Sequence, residues 1–348
     1  MSSGKRLLSV DALRGLTVAA MLLVNNAGDW GHVHPWLEHA AWHGLTPPDL
    51  IFPLFLFIVG VSISLAPAGS TQQVLARALR IVLLGLALHA VAWLAAPAGH
   101  TFRVFGVLQR IGLCYAAGAL VALHVRSARM QWVLLAALLL GHWALLLSSG
   151  SLAPGLNLSD RIDTALLGAH AYQFDAASGR AHEPEGVLGT LTSIATVLLG
   201  LRAGYGRRDG ALTRLWAGGA VALLAGVLWS LLLPLNKNLW TASFVLVTGG
   251  AGLWLLALAH VLIDRRGWPA LGRSLGRNAI TAYALAWLAA VALDASGLMR
   301  PLYQTVFVAP LLPTFEPWVP SAAYAAVFTG VFWLLMRGFD KLGWRITI

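Results

Sequence analysis

The sequence predicts an all-α polytopic membrane protein, with about ten transmembrane helices around a central polar chamber. Three observations carry this. Hydrophobic residues make up 58% of the chain and charged ones 11%, with a positive mean hydropathy. A soluble domain must present a polar shell to water and cannot hide that much apolar surface. Apolar runs of about 18 residues or more, each able to cross a hydrocarbon core of roughly 30 Å, recur throughout. Finally, the basic residues are shared unequally between the two sets of segments that join those runs.

In order, the runs lie near 12–28, 50–67, 79–97, 106–124, 131–149, 187–204, 212–233, 241–262, 278–294 and 320–337. A shorter piece at 301–313 is either an eleventh span or a re-entrant element. Residues 1–348 read as a single transmembrane domain, with no repeat or linker to divide them. With the N-terminus in the cytoplasm, the outer side keeps only Arg103, Arg110, Arg161, Arg180, Lys237 and Arg300 of the 24 Lys+Arg. The remainder, from Lys5 and Arg6 to Arg345, falls on inner segments, so both termini are expected to be cytoplasmic. The net charge of +10 then reflects topology, and no nucleic-acid partner is expected. The first run has the wrong flanks for a cleaved signal peptide. Cys114 lies inside a run, which leaves disulfides no part. The Ala/Leu/Arg-rich composition is compatible with a high-GC bacterium, whose inner membrane would put the outer face in the periplasm.

The polar residues are not scattered. "LEHAAWHGLTPPDLIFPLFLFIVG" (37–60) places His39, His43 and Asp49 at the mouth of an apolar run. "RVFGVLQRIG" (103–112), "AHEPEGVLGTL" (181–191) and "LPLNKNLWTASF" (233–244) lie on the same side. "LGRNAITAY" (275–283) opens a span from the other side. Charged groups at or inside spans are costly and usually line a cavity, so one outward-opening chamber is expected. No metal is expected: His39 and His43 lack the glutamate of a zincin helix, and no cysteine is near. His32, His34 and His43 read as interfacial anchors, beside the belt residues Trp30, Trp36 and Trp42. His39 differs, because a neutral imidazole suits general-base work and Asp49 could fix its tautomer.

The blocks "LLSVDALRGLTVAAMLLVNNAG" (7–28), "EHAAWHGLTPPDLIFPLFLFIVGVSISL" (38–65), "FGVLQRIGLCY" (105–115), "EPEGVLGTLTSIATVLLG" (183–200), "PLNKNLWTASFVLVTGG" (234–250) and "GRNAITAY" (276–283) follow one another in a familiar order. Together they resemble the heparan-α-glucosaminide N-acetyltransferase family and its bacterial relatives. The resemblance implies transfer of an acetyl group from cytoplasmic acetyl-CoA to a sugar across the membrane. It implies His39 as the catalytic histidine and matches the family's asparagine to Asn25. In the wider transmembrane acyltransferase superfamily, O-acyltransferases carry an Arg-x10-His motif. Here Arg14 holds the Arg position and Asn25 the His position, which argues against that branch. The resemblance also suggests a homodimer.

This chemistry asks for particular groups. His39 would take the proton of a sugar amine or hydroxyl, or carry the acetyl group itself. Asn25 would donate to the developing oxyanion and Asp49 would orient the base. Arg14, Gln109, Arg110 and Asn278 are expected to hold the anionic acetyl-CoA. Trp42, Glu183, Glu185, Lys237 and Trp240 are expected to meet the sugar. Arg110 has a second reading, a buried ion pair with Glu183 or Glu185. Inner-face arginines, Arg207 and Arg208 among them, should mostly meet lipid headgroups. A transporter or flippase is the non-enzymatic alternative, weakened by the lack of a repeat. The acceptor's identity stays open between an amino sugar and a hydroxyl of another glycan.

Overall fold

A computed structural model describes residues 7–96, 101–208 and 212–344. Lys5, Arg6, Arg345 and the side chains of Arg207 and Arg208 lie outside that description. The long helices are α1 Leu8–Val24, α2 Ile51–Leu65, α3 Thr71–Ala95, α4 Val107–His124 and α5 Ala128–Ser148. A short helix α6 (Leu158–Leu166) and a hairpin of β1 (Gln173–Asp175) with β2 (Arg180–His182) follow. Then come α7 Val187–Arg208, α8 Leu212–Ser230, α9 Ala242–Ala259 and a short α10 Arg273–Arg277. The chain closes with α11 Ala279–Ala295, short α12 Met299–Tyr303, α13 Ala309–Leu311 and long α14 Trp318–Lys341.

Each of the ten apolar runs falls on a helix. Among the described residues, 8 helices are long and apolar enough to cross a bilayer by themselves. They include α2 extended back to Pro47 and α9 extended to Arg265. The α11 helix becomes a ninth candidate only together with Met299–Leu311, from which it is bent by 99°. Gly297, at φ +70°, makes that break, as a left-handed residue after a helix end commonly does. The piece at 301–313 is therefore the far arm of a bent pair. The remaining run, α1, is a helix of 17 residues, tied at its start by Ser9 to Asp264 beyond α9 (Oγ to Oδ2 2.5 Å).

Lipid gives helices no hydrophobic reason to associate, so close backbone approach at small residues does the work. A Cβ at Gly60 of α2 would lie 2.0 Å from the Val197 carbonyl oxygen of α7. In return, a Cβ at Gly200 would lie 2.0 Å from the Phe57 carbonyl oxygen. The α2–α7 pair is thus packed backbone on backbone, and it carries the loop that holds His39.

Because α1 ends and α2 begins beside residues 25–50, those helices share a face, called here the His39 face. The hairpins α3–α4 and α8–α9 alternate direction, so the loops before α4, α7 and α9 reach the same face. This alternation brings residues from far apart in sequence together.

Gly60→Ala and Gly200→Ala should each destabilise the protein, by about 1–3 kcal/mol for an overpacked contact. Gly141→Ala, where an added methyl meets nothing within 4 Å, is the matched control. Thermal unfolding in detergent checks this; equal midpoints for all three would contradict the packing argument.

Candidate active site

Asp49 sits at the entry to α2, after Pro47 and Pro48, with 1% of its side chain exposed. Its Oδ2 accepts from the Thr46 amide (3.0 Å), the Thr46 hydroxyl (2.9 Å) and the Ala40 amide (3.2 Å). This closes residues 40–49 into a loop and leaves Oδ1 facing His39. The His39 Nδ1 lies 2.7 Å from Oδ1, so Nδ1–H donates and Nε2 is the basic nitrogen. The His39 side chain is 42% exposed, and is therefore reachable.

A second loop meets the first. The Gly44 amide donates to the Leu235 carbonyl (2.8 Å), and the Asn236 amide side chain to His43 Nδ1 (3.2 Å). Asn236, fully buried, also accepts from the Leu239 amide (2.8 Å) and its own amide donates to Thr241 Oγ1 (3.1 Å). Trp240 adopts φ +51° within this closure, a conformation that costs a non-glycine residue about 1–3 kcal/mol. The tight loop aims Lys237 at His39: Nζ lies 3.1 Å from Nε2 and 3.2 Å from Nδ1. It also lies 4.0 Å from Asp49 Oδ1. Burial holds Lys237 below the ordinary lysine range, against the opposing pull of Glu185 and Asp49.

Glu183 and Glu185 do not pair with Arg110. Both bind Arg103, whose Nε donates to Glu183 Oε2 (2.9 Å) and whose Nη2 donates to Glu185 Oε2 (2.6 Å). Burial opposes the Arg103 charge, but these carboxylates outweigh it and hold the guanidinium above its ordinary range. Arg110 is fully buried; its Nη2 donates to the Gly186 carbonyl (3.0 Å) and its guanidinium lies over the Trp240 ring (5.0 Å). Trp240 is itself 1% exposed, its indole nitrogen bonded to Thr196, so neither ring face is open to a sugar. Trp42 donates to the Leu152 carbonyl (2.9 Å) and stands edge-on to His182 (5.4 Å). Asn25 is exposed at the end of α1 and is not among the hydrogen-bond partners of His39.

The predicted cofactor residues separate into two places. Arg14 and Asn278 line a cavity of about 220 Å³ in the half of the bundle away from His39. Gln109 instead borders a small void with His89, Tyr283 and Trp287, one turn nearer the His39 face. The polar residues therefore gather in two regions, where the sequence suggested one chamber. Arg77 and Arg277 were not among the predicted site residues; they belong to the inner-face arginines expected mostly to meet lipid headgroups. Arg77 lies over Tyr115 (4.9 Å) and Arg277 pairs with Asp340, and both line the larger cavity. Arg277 stands directly before Asn278 in the block "GRNAITAY", which was the available signal. Arg14 is fixed there by the Gly276 carbonyl (2.9 Å) and Ser62 (3.1 Å). Among the described residues, no group of three or more His, Cys, Asp or Glu is placed to hold a metal ion.

Residues 6–161, which include His39, Asp49 and Arg110, match the family model described as heparan-alpha-glucosaminide N-acetyltransferase, catalytic. The human protein heparan-alpha-glucosaminide N-acetyltransferase (Homo sapiens) is 29% identical over 75% of this chain and 49% of its own length. The protein of the same name from Mus musculus is 27% identical over 76% of this chain and 50% of its own. These matches support membership of the heparan-α-glucosaminide N-acetyltransferase family. It spans about half the length of the curated relatives it matches.

Just beyond the matched region, the chain carries a buried acid. Asp163 of α6 is fully enclosed, with Oδ1 accepting from the Val187 amide (3.2 Å) at the start of α7. Burial raises it from 3.8 to about 7, with Glu183 and Asp160 adding to the shift. Unfolded, it would release its proton near 3.8; folded, it holds it to about 7. The native state binds more protons across that window, so this acid makes stability fall as pH rises through it. Asp163→Asn should flatten the dependence of the unfolding midpoint on pH between about 4 and 7 and raise the midpoint above that window. An unchanged slope would show that Asp163 titrates normally.

Proposed function

We propose that the protein is a membrane acetyltransferase that uses acetyl-CoA and acetylates a sugar, an amino sugar first among the candidates. The observation that carries this is the anchored pair of His39 and Asp49: Nδ1 is committed to a buried carboxylate, and the side chain remains 42% exposed. A base held in one tautomer and reachable from outside is what deprotonating an amine or hydroxyl requires. The relatives' printed name supports N-acetylation of a glucosamine.

The residues of the larger cavity fit the other substrate. Arg14, Arg77 and Arg277 converge on it, and a nucleotide bearing phosphates needs cations and donors when it enters a protein inside lipid. The Asn278 side-chain oxygen, buried there without a hydrogen-bond partner among the described residues, is free to accept from a ligand. Asp49 and Ser62, which mark the two regions along one helical path, are roughly 20 Å apart at 1.5 Å per residue. The anionic end would then stay at one side while the thioester end of a long arm reaches His39. With both termini cytoplasmic, as the basic residues suggest, the arginine-lined cavity faces the cytoplasm and the sugar is met across a bacterial inner membrane. Asn25, exposed near the His39 loop, would donate to the oxyanion from a position that substrate completes.

Purified protein given acetyl-CoA and glucosamine should release CoA and form N-acetylglucosamine. His39→Ala should lower turnover by roughly 10²-fold or more, the usual value of a general base, in protein that still elutes as a folded species. Arg77→Gln should raise the KM for acetyl-CoA with little change in kcat, the signature of lost ground-state binding. Sugar movement without CoA release would favour a transporter, and retention of more than about a tenth of turnover in His39→Ala would remove the base assignment.

A further inference from the structure

We propose that Lys237 is a self-acetylation site, an internal amine placed where an acceptor's amine must come and acetylated by acetyl-CoA when no sugar is present. This rests on the acetyltransferase reading of His39.

A nucleophile deprotonated by His39 must bring its proton within about 2.6–3.2 Å of the basic nitrogen. Lys237 Nζ already lies 3.1 Å from Nε2. An atom almost equidistant from both imidazole nitrogens would strike Cε1 if it lay in the ring plane, so the amine rests against the ring face. Rotation about the last bonds of a flexible side chain brings it in line with the Nε2 lone pair. The backbone is fixed by the Asn236–Thr241 closure, so the base stays within reach of the amine. The site's enclosure also favours the uncharged amine, the form that attacks a carbonyl. Chemically it is a primary alkyl amine, the same class as the amino group of a glucosamine.

The step balances without further reactants. Lys237 Nζ attacks the thioester carbonyl carbon; an N–C bond forms and the C–S bond breaks. The amine proton passes to His39 Nε2 and then to the departing thiolate, giving acetyl-lysine and free CoA. The product carries no charge and adds an acetyl group against the His39 ring, so sugar-starved enzyme would switch itself off.

The chain supplies its own controls, because its other lysines are Lys5 and Lys341, near the two termini. The full chain in lipid nanodiscs is incubated with deuteroacetyl-CoA without sugar, digested, and read by mass spectrometry at all three lysines. Label at Lys237 should appear about tenfold or more faster than at Lys5 and Lys341, a conservative share of a general base's contribution. His39→Ala and His39→Gln should both reduce Lys237 to the rate of the controls, and excess glucosamine should suppress it in the unmodified chain. Equal labelling of the three lysines, in a preparation that acetylates glucosamine, overturns the proposal and leaves the function standing. Fast labelling of Lys237 that persists in both His39 variants overturns it too, since a reactive amine would then be acting alone. Neither labelling nor sugar acetylation would remove the proposal together with the function.

Discussion

A single buried carboxylate organises the His39 face. Asp49 lies at the start of a membrane-spanning helix, where water is scarce and an unsatisfied acceptor is expensive. Three donors from residues 40 and 46 take up one of its oxygens, and His39 takes the other. Satisfying the acid therefore folds the loop, and folding the loop aims the imidazole. The Gly44–Leu235 and His43–Asn236 bonds carry the constraint to the loop before α9, which delivers Lys237. Removing the carboxylate would cost more than one hydrogen bond, because four groups would lose the partner that defines their positions.

The helices were legible in the sequence because hydrocarbon thickness imposes a minimum run, and every such run became a helix. The bend at Gly297 was only half legible, as an ambiguous piece at 301–313. The proximity of His39 and Asp49 was also within reach, since they lie only ten positions apart, with two prolines between them, on one side of one span. Other pairings were beyond it. Arg103 lies about eighty positions from Glu183, and nothing local says that it, in place of Arg110, takes both glutamates. Arg77 and Arg277 were passed over because the positive-inside rule sorts arginines by side and is blind to whether they point at lipid or inward. Trp240 looked like a ligand platform by composition; its left-handed backbone and its contact with Arg110 turn it into the core.

Between the two polar regions runs a layer with a different logic. Arg110 is wholly enclosed, with Nε and Nη1 lacking hydrogen-bond partners among the described residues. Glu183, Glu185 and Arg103 lie on the His39 side of this layer; the charge of Glu185 acts on both Arg110 and Lys237, and that of Glu183 on Arg110. Such a layer is costly in isolation, since each buried charge must be repaid by partners. Its arrangement nonetheless suits the proposed chemistry. A continuous open chamber would join the two aqueous sides and leak protons and ions, whereas a packed ionic layer would close the bundle except where, on the proposed function, a slender arm would pass. The small void bordered by Gln109, His89, Tyr283 and Trp287 marks a weak point in that closure, lying on the same seam of α3, α4 and α11 as the larger cavity. A barrier with one narrow seam would reconcile the two demands of the proposed function: acetyl groups would have to cross between the two sides, and little else should.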